Sequence, residues 1–378
     1  MTDYRSPLLD WENAVSAEGP DAAIAWHYGD PLREQRLADT GAGLFDQSNR
    51  DVLAVTGPDR LGWLHSICSQ HVSRLSDGDS TQALVLSPNG HVEQHWQLTE
   101  LSDQVWLDTE PGTAETVLGY LMKMRFMKRV EPAVITAEFA VLSLLGPEAD
   151  QSLSGAGLPV PSSAAIPQQA PSSAAIPQPV ASHGAMALPD GGLVRRRTDG
   201  GVDLIVRRPT LAAIAARLRM AGAAPVGTWA AEALRIVRRE PRLGLDTDHR
   251  TLAHEVGWIG SAVHLNKGCY RGQETVARVQ NLGKPPRRLV LLHLSGDSEQ
   301  LPKPGTSVER DGRSVGFVGS TAHHYELGPI ALAVVKRGVS LGDRLTVLGE
   351  PVAVDPEDAV AEFVEGFAGT AGPAQTSA

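Results

Sequence analysis

The densest group of reactive side chains in the sequence is Lys267-Gly268-Cys269-Tyr270-Arg271-Gly272-Gln273-Glu274. Two glycines bracket a thiol, a phenol and a guanidinium, and an ammonium stands two residues before the thiol. Glycine lets a backbone turn sharply or approach a ligand closely, and cations this near a cysteine in sequence favour the nucleophilic thiolate. Cys269 is therefore the candidate reactive group, with Lys267, Tyr270 and Arg271 beside it. A papain-type nucleophile would carry a different local signature. The scattered His249, His254 and His264, and the pair His323-His324, show no metal-binding spacing, and no metal is assigned. No dinucleotide or phosphate-loop fingerprint follows an expected strand. Cys68, at helical spacing with Leu61 and Leu64, reads as core.

The elements that must position these groups can be read from pattern and punctuation. The chain has 378 residues, 42% hydrophobic and 21% charged, which fits a globular protein of two or three domains. Apolar runs fall well short of the roughly 20 residues a spanning helix needs. The N-terminal MTDYRSPLLDWENA has no secretory core, and two cysteines exclude a disulfide framework. A cytoplasmic protein with reduced thiols and no membrane partner is expected. The net charge of −10 conceals 18 Lys and Arg against 8 Asp and Glu between Arg195 and Arg288. That local excess suits an anionic small ligand or a limited nucleic-acid contact.

Residues 22–150 mix helices with strands without βαβ alternation, and Asn89-Gly90 marks a hairpin between them. Residues 151–182 carry PSSAAIPQ twice, at 161–168 and 171–178, and read as a disordered insertion. A second α+β lobe spans 183–286, with a basic hairpin over 192–206 and helices over 210–221 and 228–239. Short strands punctuated by Gly and Pro over 287–366 predict a β-barrel, and 367–378 read as a disordered tail.

The octapeptide KGCYRGQE, followed by Thr-Val-Ala-Arg (275–278), resembles the signature of the YgfZ-type folate-binding proteins, relatives of the glycine-cleavage T-protein (GcvT). Other stretches share the resemblance, which runs from about residue 24 to 350: His27-Tyr28-Gly29, Gly43-Leu44-Phe45-Asp46, Val55–Asp59, Glu232–Arg235 and Pro241-Arg242. It implies an α+β fold, a three-lobed T-protein-like ring with a C-terminal β-barrel, and tetrahydrofolate, plain or polyglutamylated, in the central hole. By that resemblance Asp203, after Gly200-Gly201, is the carboxylate for the pterin's amino edge, since a carboxylate accepts two N–H bonds in parallel. Glu232, Arg235, Trp229, Gln273 and Glu274 complete the implied folate contacts. The T-protein's Asp pair after its Gly-Gly turn is missing: the matching strand reads Asn89-Gly90-His91-Val92-Glu93-Gln94, where Glu93 could stand in for one carboxylate. The resemblance thus implies a folate-binding accessory protein for iron–sulfur cluster assembly or repair, partnered by client or assembly proteins and using Cys269. The alternative is a folate-dependent aminomethyl or other one-carbon transferase, and a weaker one a tRNA-modification factor, whose tRNA contact would use the basic 195–288 segment.

Overall fold

The computed structural model describes residues 4–162, 183–197, 200–295 and 300–359. Local chemistry fixes its first elements. The Asp30 carboxylate accepts from the Arg33 N–H at 3.0 Å, and Pro31 opens helix Pro31–Thr40, so one orphan donor is satisfied and another never exists. At 87–90 the Ser87 carbonyl accepts from the Gly90 N–H at 2.9 Å, and Gly90 has φ +79°. This turn joins strands Asp79–Leu86 and Val92–Leu101 into the expected hairpin.

Eleven strands form one sheet. From one edge to the other they are Ala224–Val226, Gly43–Gln47, Phe139–Leu145, Val202–Arg207, Leu193–Arg196, His183–Ala187, Asp79–Leu86, Val92–Leu101, Gln104–Thr109, Asp51–Thr56 and Glu131–Val134. All neighbours are antiparallel except the first pair. Strands from 22–150 and from 183–286 interleave in it: Val202–Arg207 pairs with Phe139–Leu145, and His183 pairs with Ser80. A closed six-stranded barrel follows: Arg287–His293, Gly328–Lys336, Arg313–His324, Ser307–Arg310, Leu345–Val347 and Glu350–Val354.

Side-chain alternation gives the sheet two different faces. On one half Trp96, Leu98, Val105 and Leu107 pack under helices Arg60–Ile67 and Ala114–Met124. On the other, Leu142, Leu144, Val202 and Leu204 pack under helices Ala149–Gly155 and Leu211–Met220. On the opposite faces an apolar cluster of Val52, Trp106, Val141, Leu193 and Ile205 joins the two halves, and polar side chains including Gln82, His95, Gln97, Asp108, Arg195 and Asp203 line the space beside it. Helix Thr228–Val237 is apolar on two sides. Ala230, Ala231 and Leu234 meet helix Pro31–Thr40 and the sheet edge, while Ala233 and Ile236 meet Leu291, Ala322 and Leu332 of the barrel.

The start of the expected insertion is corrected. Residues 151–155 belong to helix Ala149–Gly155, Leu153, Ala156 and Leu158 are buried in the core, and the Pro161 carbonyl accepts from Arg196 Nη2 at 2.7 Å. Proline spacing in the repeats masked a packed apolar stretch before them. Residues 163–182 and the tail beyond 359 lie outside the described residues. The chain leaves and re-enters the fold at one place, because a Cβ built on Gly184 would lie 2.7 Å from the Ser162 carbonyl oxygen. Replacing 163–182 by a Gly-Ser dipeptide should therefore shift the melting temperature by no more than about 2 °C, since closure cost varies slowly with loop length. A scanning-calorimetry endotherm that broadens or drops further would show that the segment contributes packing.

Candidate functional site

The polar parts of the two half-sheets, helix Thr228–Val237, the segment after it and the barrel together enclose a cavity of about 660 Å³. That volume is in the range of pockets that hold a medium-sized organic ligand. One half-sheet contributes Ser80, Gln82, His95, Gln97, Asp108 and Glu110, and the other Phe45, Gln47, Leu145, Arg195 and Asp203. Trp258 closes one side, its ring 4.8 Å from that of His95.

Among the described residues the lining includes nine arginines and nine carboxylates, and many are bound to one another in a chain around the wall. Asp203 pairs with Arg197 (3.3 Å) and Arg195 (2.9 Å), Arg195 with Asp108 (2.6 Å), and Asp108 with Arg50 (3.0 Å). Arg50 continues to Glu110 (3.2 Å), Glu110 to Arg242 (2.7 Å), and Arg242 to Asp21 (2.7 Å) and Glu232 (3.8 Å). Glu232 holds Arg235 (2.6 Å), which reaches Asp246 (2.8 Å). Burial opposes the Asp203 charge, but Arg197 and Arg195 outweigh it and hold the carboxyl well below the usual range. Burial likewise opposes Glu110, and Arg242 and Arg50 bring it down to about 2. Of the arginines that made 195–288 look basic, Arg195, Arg197, Arg235 and Arg242 thus spend their charge on carboxylates of the cavity wall.

His95 was missed by sequence reasoning. Burial, aided by Arg50, pushes its pKa down to about 4, so the ring is neutral near pH 7. Its Nε2 lies 2.9 Å from Gln82 Oε1. With that amide oxygen as acceptor, the proton sits on Nε2. The signal was available in the alternation of Trp96 and Leu98 with His95 and Gln97, which puts His95 and Gln97 on the face away from the helices. Glu93 is no carboxylate for this cavity: it lies at the exposed end of the strand and pairs with Arg271 at 3.1 Å.

The structure divides the expected site residues. Asp203, Glu232 and Arg235 line the cavity. Asp203 is saturated, its oxygens accepting from Ser143 Oγ (2.7 Å), Arg197 and two nitrogens of Arg195. Trp229 does not line it. That ring stacks on Trp26 at 4.8 Å, on the side of the helix facing strand Ala25–His27. The whole KGCYRGQE motif is also absent from the lining. Lys267 is only 7% exposed, and its ammonium donates to the carbonyls of His65, Cys68 (2.5 Å) and Gln70 (3.0 Å). Arg271 faces Glu93, Tyr270 is buried beneath Lys267, and burial pushes its phenol up to about 12. Gln273 begins helix Gln273–Leu282 and accepts from the Tyr270 N–H at 3.4 Å, while Glu274 is exposed. Cys269 is exposed, but the two cations expected to activate it are engaged elsewhere. Spacing along the chain could not show which way they turn.

An interleaved sheet with a central polar cavity and a separate six-stranded barrel defines a protein of the T-protein fold class. The GCVT N-terminal domain matches residues 10–166, and the glycine cleavage T-protein C-terminal barrel domain matches residues 287–358. The chain thus carries the N-terminal and the C-terminal barrel domains of the glycine cleavage T-protein. It is 27% identical over 354 residues to an aminomethyltransferase of Rubrobacter xylanophilus, covering 92% of this chain and 91% of that protein. A chloroplastic transferase of Arabidopsis thaliana is 27% identical over 322 residues, 83% of this chain and 70% of its own. The crystal structure of the Bartonella henselae glycine cleavage system aminomethyltransferase T superposes with a TM-score of 0.76 at 20% identity, over 92% of this chain and 94% of that one. Among the described residues no helix is long and apolar enough to cross a membrane.

Proposed function

We propose that the chain is a folate-dependent transferase of one-carbon units and that the central cavity receives tetrahydrofolate. The carrying observation is the cavity itself. Its ionic groups largely neutralise one another, while the aromatic faces of Trp258, His95 and Phe45 and the amides Gln47, Gln82 and Gln97 remain to meet a flat heterocycle edged with donors and acceptors. The names of the relatives, aminomethyltransferases and a transferase, support the same reading. Aminomethyl transfer is its specific form, with the neutral imidazole of His95 exposed to the ligand in a strand that lacks the Asp pair.

Calorimetric titration with tetrahydrofolate should give micromolar-scale binding. Asp203→Asn should weaken it about tenfold or more if the carboxylate releases an arginine to take the pterin edge, the scale of a charge-assisted hydrogen bond. Equal affinity would remove Asp203 from the site, and no binding by the native chain would refute the reading. Mixing the loaded protein with an aminomethylated carrier protein and following methylenetetrahydrofolate tests the transfer. The accessory role in iron–sulfur cluster assembly or repair is a second reading, resting on the exposed Cys269 thiol alone. A Cys269→Ser chain that restores iron–sulfur enzymes in cells lacking the protein would end it.

A further inference from the structure

Away from the cavity, on the side where helix Ala114–Met124 covers the sheet, the chain makes a projecting knob. Phe126 is 82% exposed, Met127 98% and Met122 47%. Exposed single apolar residues are ordinary, but adjacent large ones at the tip of a turn are not. The same turn carries Lys123, Arg125, Lys128 and Arg129 and no acidic residue between 122 and 129, in a chain whose net charge is −10.

The knob is built, not frayed. Trp63 Nε1 donates to the Met124 carbonyl at 2.8 Å and ties off the helix end. Asp59 takes the Arg129 backbone N–H (2.9 Å) and the guanidinium (2.8 Å). Gly57 lets the two segments cross, since a Cβ there would lie 2.2 Å from the Arg129 carbonyl oxygen. Phe126 itself has φ +44°, a left-handed conformation costly for a bulky side chain. Such strain persists only where surrounding structure enforces it, and it concentrates at functional positions. Here it turns a phenyl ring into solvent, where it contributes nothing to folding.

We propose that this knob is a peripheral attachment site for an anionic lipid surface. Phe126 and Met127 enter the interface between headgroups and acyl chains, and the flanking cations meet the headgroup charge. A protruding tip of two apolar side chains inserts into a fluid interface, whereas a protein partner would be met by a broader, flatter patch. The cations supply the charge complementarity, and their local field orients an otherwise repelled acidic chain. No spanning helix is required, so this contact is distinct from the membrane insertion the composition excludes.

The test is co-sedimentation of the full chain with sucrose-loaded phosphatidylcholine vesicles, with and without about 30% phosphatidylserine. The native chain should pellet with the anionic vesicles at low salt, stay in solution with the neutral ones, and be released as salt screens the attraction. Phe126→Ser with Met127→Ser, and separately Lys123→Glu with Lys128→Glu, should each lower partitioning about tenfold or more. Both double variants should keep the native melting curve and tetrahydrofolate affinity, because the knob lies across the sheet from the cavity. A native chain that stays in solution at low salt overturns the proposal and leaves the knob to an acidic protein partner. Pelleting retained by both folded double variants overturns it equally, by placing the contact elsewhere.

Discussion

Replacing Arg235 by Met should destabilise the protein by about 3–5 kcal/mol, the cost of breaking a buried ionic network from one side. The Arg235 guanidinium joins three parts of the fold. It binds Glu232 on its own helix (2.6 Å), Asp246 in the following segment (2.8 Å) and the Ser320 hydroxyl on the barrel strand. Asp246 has no exposed surface and also accepts from the Ser320 N–H at 2.7 Å and the Arg242 N–H at 2.8 Å. The barrel strand comes this close because residue 319 is glycine: a Cβ there would lie 2.2 Å from Asp246 Oδ1. Without Arg235, Asp246 loses its principal counter-charge where water cannot substitute, and Glu232 keeps only the more distant Arg242. Methionine fills similar volume, so lost packing contributes little. Arg235→Lys keeps the charge but not the planar fork that serves several acceptors at once, and should fall between the two. Urea unfolding followed by far-ultraviolet circular dichroism reads the effect. A loss below about 1 kcal/mol for Arg235→Met would mean the network is solvated and structurally dispensable.

Such a network marks the boundary of what a sequence shows. Glu232 and Arg235, three apart on a helix, are legible as a pair. That the same guanidinium reaches Asp246 and Ser320 depends on how the barrel docks, which no local pattern encodes. The hairpin at Ser87–Gly90, the helix over 228–239 and the barrel strands were all visible, because turn chemistry and alternation act over a few residues. The interleaving of Val202–Arg207 beside Phe139–Leu145 was not, since strands more than fifty residues apart pair through burial. The cavity was half legible. Asp203 was found through the motif around it, but His95 was passed over for Glu93, two residues before it, because a register irregularity in the pairing at Val92–Gln94 cannot be read from local pattern. The surplus of arginines was visible in the sequence, but the carboxylates that neutralise them come largely from outside 195–288, including Asp108, Glu110 and Asp21.

The KGCYRGQE motif separates in the same way into a residue the fold needs and one it leaves free, and two substitutions should expose the division. Lys267→Met should cost about 3 kcal/mol, because the carbonyls of His65, Cys68 and Gln70 lose a shared buried donor. These groups lie at and beyond the C-terminal end of helix Arg60–Ile67, where an ammonium both satisfies orphan carbonyls and meets the negative end of the dipole. Burial pulls the Lys267 pKa below the ordinary lysine range, as expected for an ammonium held by neutral carbonyls without a carboxylate. Cys269→Ser should change stability by less than about 0.5 kcal/mol, since the thiol is exposed. The two thiols give an internal readout. In the native chain a maleimide should label Cys269 rapidly and leave Cys68, 1% exposed with its pKa raised by burial, untouched until unfolding. In Lys267→Met the loosened helix end should admit the reagent to Cys68 under native conditions, at least tenfold faster if local opening becomes about 1.4 kcal/mol cheaper. A Lys267→Met chain with native stability and a protected Cys68 would show that the lysine is not the staple its three hydrogen bonds describe.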